Sequence, residues 1–104
     1  MAIEQRGEID ATIGGERRVL CLTLGALAEL EARLQAGDLV GLAERFEAGR
    51  VSARDLLAIL GAGLRGGGNA VSDEQLAGMA FEGGLKGAAE IAARLLRAAF
   101  GDAT

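Results

Sequence analysis

Leu60-Gly61-Ala62-Gly63-Leu64-Arg65-Gly66-Gly67-Gly68 is the stretch on which the reading of this chain turns. Gly61 to Gly66 satisfies G-x-G-x-x-G letter for letter, so one reading is a small nucleotide-binding protein using Gly61–Gly66. The dinucleotide fingerprint needs a strand before it and a helix after it, so that a helix N-terminus meets the phosphates. Here the order is reversed. Leu56, Leu57, Leu60 and Leu64 recur at helical spacing, which puts the glycines in the last turn of a helix and the loop that follows. Gly66-Gly67-Gly68 could form an anion nest, but a helix stop is the plainer reading, with Arg65 near the helix's negative end. Three glycines exceed what a stop requires, which leaves room for mobility or for close approach of a partner.

Composition narrows the function further. At 104 residues the expectation is one domain, 1–104, able to hide about two thirds of its unfolded surface. Half the residues are apolar, but Phe46, Phe81 and Phe100 are the only aromatics, so the core must be built from Leu, Ala, Ile and Val. There is no His, Trp, Tyr or Pro. That removes the commonest general base and most of the stacking used to hold single-stranded nucleic acid. A net charge of −4 disfavours phosphate backbones and anionic lipid, so neither nucleic acid nor membrane is an expected partner. The lone Cys21 has no second cysteine to pair with, and Met1 to Arg6 lacks an apolar signal core, so a reducing cytoplasm is expected. No Cys/Asp/Glu spacing matches a metal site, and no cofactor or catalytic residue is expected.

Between Gly7 and Leu22 the pattern has period two. Ile9, Ala11 and Ile13 alternate with Asp10 and Thr12, Gly14-Gly15 offers a two-residue turn, and Arg18, Leu20 and Leu22 resume the alternation. A β-hairpin with Ile9 facing Leu20 and Ala11 facing Arg18 follows, with Asp10, Thr12 and Arg17 on the wet side. A lone hairpin is marginal in water, so its greasy face must pack on what comes next.

From Thr23 the period becomes 3.6. Thr23 is the expected cap of a first helix with Leu24, Leu27, Leu30 and Leu34 inward and Gly37 as its stop. Asp38 would cap a second, with Leu39, Leu42, Ala43 and Phe46 inward and Gly49 at its end. Ser52 to Asp55 resembles a capping box for a third, which runs to about Arg65. Ser72 to Gln75 is a better-formed box for a short fourth through Leu76, Met79 and Ala80, broken at Gly83-Gly84. A last helix over about 85–100 carries Leu85, Ala88, Ala92, Leu95 and Ala99 on one side. The fold class is therefore α+β, mostly α: a hairpin over 7–22, then about five short helices over 23–100 in a compact bundle.

The remaining chemistry has plain readings. Cys21 lacks an activating base and reads as a half-buried strand residue. Glu29 and Glu31 point to different faces of a helix and read as solvated. Asp73 and Glu74 sit in a first turn, where negative charge is favourable. The last helix carries Ile91, Leu96 and Phe100 off its main stripe, and together with Arg65 these are the candidate partner-binding residues.

Arg6 to Ile9, Leu22 to Glu31, Leu57 to Gly67, Gly83-Gly84 and Leu95 to Gly101, in this order, make the chain resemble a family: the small tail protein of alphaproteobacterial gene transfer agents and related tailed phages, of tail tube or tail assembly chaperone type. The likeness covers nearly the whole chain. It implies a place in building a long non-contractile tail, with the tape measure protein and the major tail tube protein as partners and possible homo-oligomers. In the chaperone reading, several copies coat the helical tape measure and are displaced as tube subunits polymerise. The structural alternative is a minor component of the tube. The resemblance brings no catalytic or cofactor residues.

Overall fold

The computed structural model describes residues 7–34, 39–50 and 52–100. Strands β1 (Glu8–Ile13) and β2 (Glu16–Cys21) form the antiparallel hairpin in the expected register, Ile9 opposite Leu20 and Ala11 opposite Arg18. Gly14 and Gly15 both adopt positive φ, +64° and +82°, which the tight turn demands and an L side chain resists. Ile9, Ile13 and Leu20 are buried, while Thr12 and Arg17 face water and Asp10 reaches back to Arg17 at 3.2 Å.

Helix α1 (Leu24–Leu34) starts where Thr23 Oγ1 accepts a hydrogen bond from the Ala26 amide. Its inward face differs from the expected stripe: Leu24 is 87% exposed, and the buried line is Ala26 and Leu30 with Leu27 half-buried. The reason is tertiary, because the Ala26 methyl lies against the bare backbone of Gly66, which turns the Ala26/Leu30 line toward the next helices. Helix α2 (Leu39–Glu47) buries Leu42 and Phe46, and Gly49 at φ +77° follows its end. Gly37 and Asp38, and the side chains of Leu34, Leu39 and Ala43, lie outside the described residues.

Helix α3 (Ala53–Gly66) is the centre of the molecule. Ser52 Oγ accepts from the Asp55 amide at 3.1 Å, while the Asp55 carboxylate stands 4.0 Å from Arg45 of α2, so half of the expected box forms. Every residue from Ala58 to Leu64 is buried, the mark of a helix covered on all sides rather than an amphipathic surface helix. The glycines at 61 and 63 therefore lie inside the helix body, with Gly66 as its last residue.

Helix α4 (Asp73–Ala77) has the full capping box, Ser72 Oγ accepting from the Gln75 amide and Gln75 Oε1 accepting from the Ser72 amide. It stops at Ala77, short of the expected Met79 and Ala80. The hairpin ends it: the Ala80 carbonyl accepts from the Gly14 amide at 3.1 Å and Phe81 bridges to Ile13, which holds this segment extended. Helix α5 (Gly84–Phe100) buries Ala88, Ala92, Leu95 and Leu96 against α3 and the hairpin, but Leu85, expected inward, is 66% exposed. The core runs from the hairpin through α3 to α5, and no polar or charged residue is buried among the described residues.

Candidate functional site

The glycine-rich segment is explained by packing. A Cβ at Gly66 would collide with the carbonyl oxygen of Cys21, and one at Gly67 with that of Val19. Both obstacles are β2 backbone, which cannot swing aside as a side chain can. A Cβ at Gly63 would strike Leu95 Cδ2 of α5, and one at Gly61 the Asp73 carboxylate. All three glycines of the G-x-G-x-x-G match thus serve helix–strand or helix–helix approach, and α4, which begins beyond the loop, carries Asp73 and Glu74 in its first turn, where they repel a phosphate. The contact is pinned by Asn69, whose Nδ2 donates to Val19 O at 2.7 Å and Leu64 O at 3.1 Å. The close approach that Gly66 and Gly67 permit is that of the chain's own strand, while Gly68 has open space beside it and takes a φ of +95°.

Arg65 is occupied within the fold. Its guanidinium donates to Glu29 on α1, to Asp73 Oδ1 at 3.0 Å and to the Val71 carbonyl at 3.1 Å, while Arg33 of α1 closes on the other Asp73 oxygen. Four charged groups from α1, α3 and α4 thereby form one network. Glu29, expected to be solvated, is a partner in it. Burial pushes the Asp73 carboxyl up, but the hydrogen bonds from Arg33 and Arg65 outweigh this and hold it below the ordinary carboxylate value. Arg65 is raised above its usual value, chiefly by its hydrogen bond to Glu29. Sequence spacing could not bring Glu29 and Arg65 together, because the pair spans 36 positions.

The three α5 candidates do not share a face. Leu96 is 2% exposed and belongs to the core, so an aspartate there would strike the fold before any partner. Ile91 is half-buried beside β1, near Ala11 and Thr12, and Phe100 is 41% exposed nine residues on, about half a revolution around the helix. Among the described residues a continuous apolar recess lies elsewhere, between α3, α4 and α5. It encloses about 370 Å³ and is lined by apolar groups from Ala53 to Ala88. Leu56, Leu60 and Leu76 form its buried floor, Leu57, Met79 and Phe81 its half-buried walls, and Leu85 stands exposed at its lip. Leu85 was legible as apolar, but its place at a lip depends on where α4 stops.

A groove without a titratable lining group can desolvate an apolar side chain and has nothing with which to move a proton. Cys21 lies apart from it, half-buried on β2, and burial together with the nearby Glu8 pushes its thiol up, away from the reactive thiolate. Among the described residues no three cysteines or carboxylates gather as a metal site, and no helix is long and apolar enough to cross a membrane.

The described residues make a small α-rich module with a hairpin, a charge-tied helical layer and an apolar recess, and an architecture of this kind does not by itself name a function. The chain belongs to the family described as "Phage tail tube protein, GTA-gp10", whose profile matches residues 6–102. Neither a curated protein nor a solved structure shows significant similarity to it. The tail-protein family implied by the ordered segments is thereby shown.

Proposed function

We propose that this tail protein acts during tail morphogenesis as an assembly chaperone for the tape measure and the tail tube subunits, binding their apolar segments and performing no covalent chemistry. The observation that carries this reading is the groove between α3, α4 and α5, an apolar recess on a chain of net charge −4. Retention in the tube as a minor component is the second reading, and it fits the family description equally well. What favours the chaperone is the shortage of free sheet. The sheet has two strands, Asn69 and the α3 terminus cover the outer edge of β2, and Phe81 bridges the Ile13 end of β1, which leaves one short edge of β1 for building a ring by strand addition. Two measurements decide. The purified chain is titrated with the tape measure segment, and finished particles are assayed quantitatively for the polypeptide. Binding that is lost in Leu85→Asp, together with absence from particles, is expected; presence at the stoichiometry of a tube ring overturns the chaperone reading. The nucleotide reading is tested by titration with labelled nucleotide, and no saturable binding is expected.

A further inference from the structure

We propose that the outer edge of β1 takes up one extended segment of a protein partner as a third strand, laid in the cleft between β1 and α5. Gly14 and Gly15 form a two-residue turn with both φ positive, so Ile13 and Glu16 close the hairpin as a hydrogen-bonded pair, and Ala11 and Ile9 repeat that pairing. Asp10 and Thr12 therefore turn their amides and carbonyls away from β2, as Gly14 does its amide. The molecule already uses the first of these outward positions. The Gly14 amide donates to the Ala80 carbonyl at 3.1 Å, and Phe81 bridges to Ile13, so extended backbone is seated on this edge. That cover stops at Glu82, because the chain turns into α5 at Gly83 and Gly84, both at positive φ. Beyond it, among the described residues, no backbone bond outside the hairpin engages Asp10.

The uncovered edge opens onto a cleft of about 500 Å³, with Ala11 and Thr12 on one side and α5 on the other. Along α5 the wall presents Lys86, Glu90 and Arg94, all exposed and none in an ion pair among the described residues. Four residues of helix rise about 6 Å and two residues of strand about 6.7 Å, so alternate side chains of an entering strand meet these three groups in turn. Their complement is acid, base, acid. With Glu82 the wall carries no net charge, so the pattern selects the segment and long-range attraction does not. A helix satisfies its own backbone and leaves the Asp10 groups unanswered. A second copy has only its β1 to offer, since Gly67 and Asn69 cover β2, and that β1 brings its own α5 into the same cleft. The occupant is thus a lone strand of another protein, and with β2 covered the sheet ends there instead of propagating. The cleft is separate from the recess between α3, α4 and α5, so this inference and the function proposed above can fail independently.

The probe is a synthetic peptide of about seven residues, valine alternating with aspartate, lysine and aspartate, titrated into the full chain by calorimetry and amide NMR. Saturable binding is expected, with the Asp10 and Thr12 amides shifting most and gaining protection from exchange. Methylating the peptide amides that face β1 keeps every side chain and is expected to weaken binding at least about tenfold. Lys86→Glu, Glu90→Lys and Arg94→Glu together are expected to cost at least about tenfold for this peptide and to restore binding of one carrying lysine, aspartate and lysine. Leu85→Asp is expected to leave the titration unchanged. No saturable binding below about 1 mM, equal binding of the methylated peptide, indifference to the charge swap, or sedimentation showing that copies pair through this edge overturns the proposal. The swapped positions are exposed and melting curves verify folding; Lys86→Gln with Arg94→Gln replaces a swap that melts early, with a loss of binding again expected.

Discussion

The two ends of α3 are built on opposite principles. At its C-terminal end, Gly66 and Gly67 bring the helix against the carbonyls of Cys21 and Val19 with no room for a methyl group, and Asn69 locks the contact. At its N-terminal half, Leu56, Leu57 and Leu60 look into an apolar recess of about 370 Å³ that α4 and α5 leave open. In sequence the C-terminal end reads as a glycine stop and the N-terminal half as a leucine stripe. The difference teaches that close backbone approach fixes the hairpin on the helix, while the short α4, drawn off by the hairpin turn, leaves the opposite end unfilled.

The sharpest way to break this contrast is a methyl group at the tight end. Gly66→Ala or Gly67→Ala meets backbone oxygens that cannot move without shifting β2, and a loss of about 3 kcal/mol or more is expected in urea unfolding, enough to prevent folding in a marginal domain. A loss under about 1 kcal/mol would show that the helix can slide and that the end is not tight. Next in size is a matched pair of truncations. Leu64→Ala opens a sealed void and is expected to cost about 4 kcal/mol, whereas Leu60→Ala enlarges a recess already open to water and is expected to cost about 2 kcal/mol, both from chemical denaturation. Equal losses would mean that the groove closes in solution.

The charge network ties the two ends together from the side, and its effect is smaller. Asp73→Asn is expected to cost about 1 kcal/mol, the scale of a partly exposed ion-pair network. Because the Asp73 carboxyl is held below its unfolded value, its contribution is present above the unfolded pKa and is lost as pH falls through the folded one. Acid unfolding of wild type should therefore show an excess loss in that range which Asp73→Asn abolishes. The smallest effect on stability is expected for Leu85→Asp, within about 0.5 kcal/mol, since Leu85 is exposed. That variant sharpens the comparison, because it should leave the melting temperature in place while removing association through the groove.

Local chemistry was legible where the deciding partners are neighbours in sequence. Alternation around Gly14-Gly15 set the hairpin register, and Thr23, Ser52 and Ser72 marked the helix starts, because each of these depends on amides two or three residues away. The helical period identified apolar lines but could not orient them. Leu24 and Leu85 continue their stripes and yet face water, since Ala26 and the α4 stop, rather than periodicity, decide which line meets the core. Leu96 erred in the other direction, an off-stripe residue that the fold buries.

The candidate site was less legible still. Arg65 was marked as a partner contact and proves to be bound to Glu29 and Asp73, and the groove is assembled from α3, α4, α5 and the extended link at Phe81. Its members are scattered from Ala53 to Ala88, with no spacing that unites them. The sequence by itself determined the Gly14-Gly15 turn, the caps at Thr23, Ser52 and Ser72, the α-rich class and the family to which the chain belongs, because those rest on residue type, residue order and local hydrogen bonding. Only the tertiary structure decided which glycines are clearances, which charges are paired and where an apolar recess stays open, because those depend on distances between backbones that are remote along the chain.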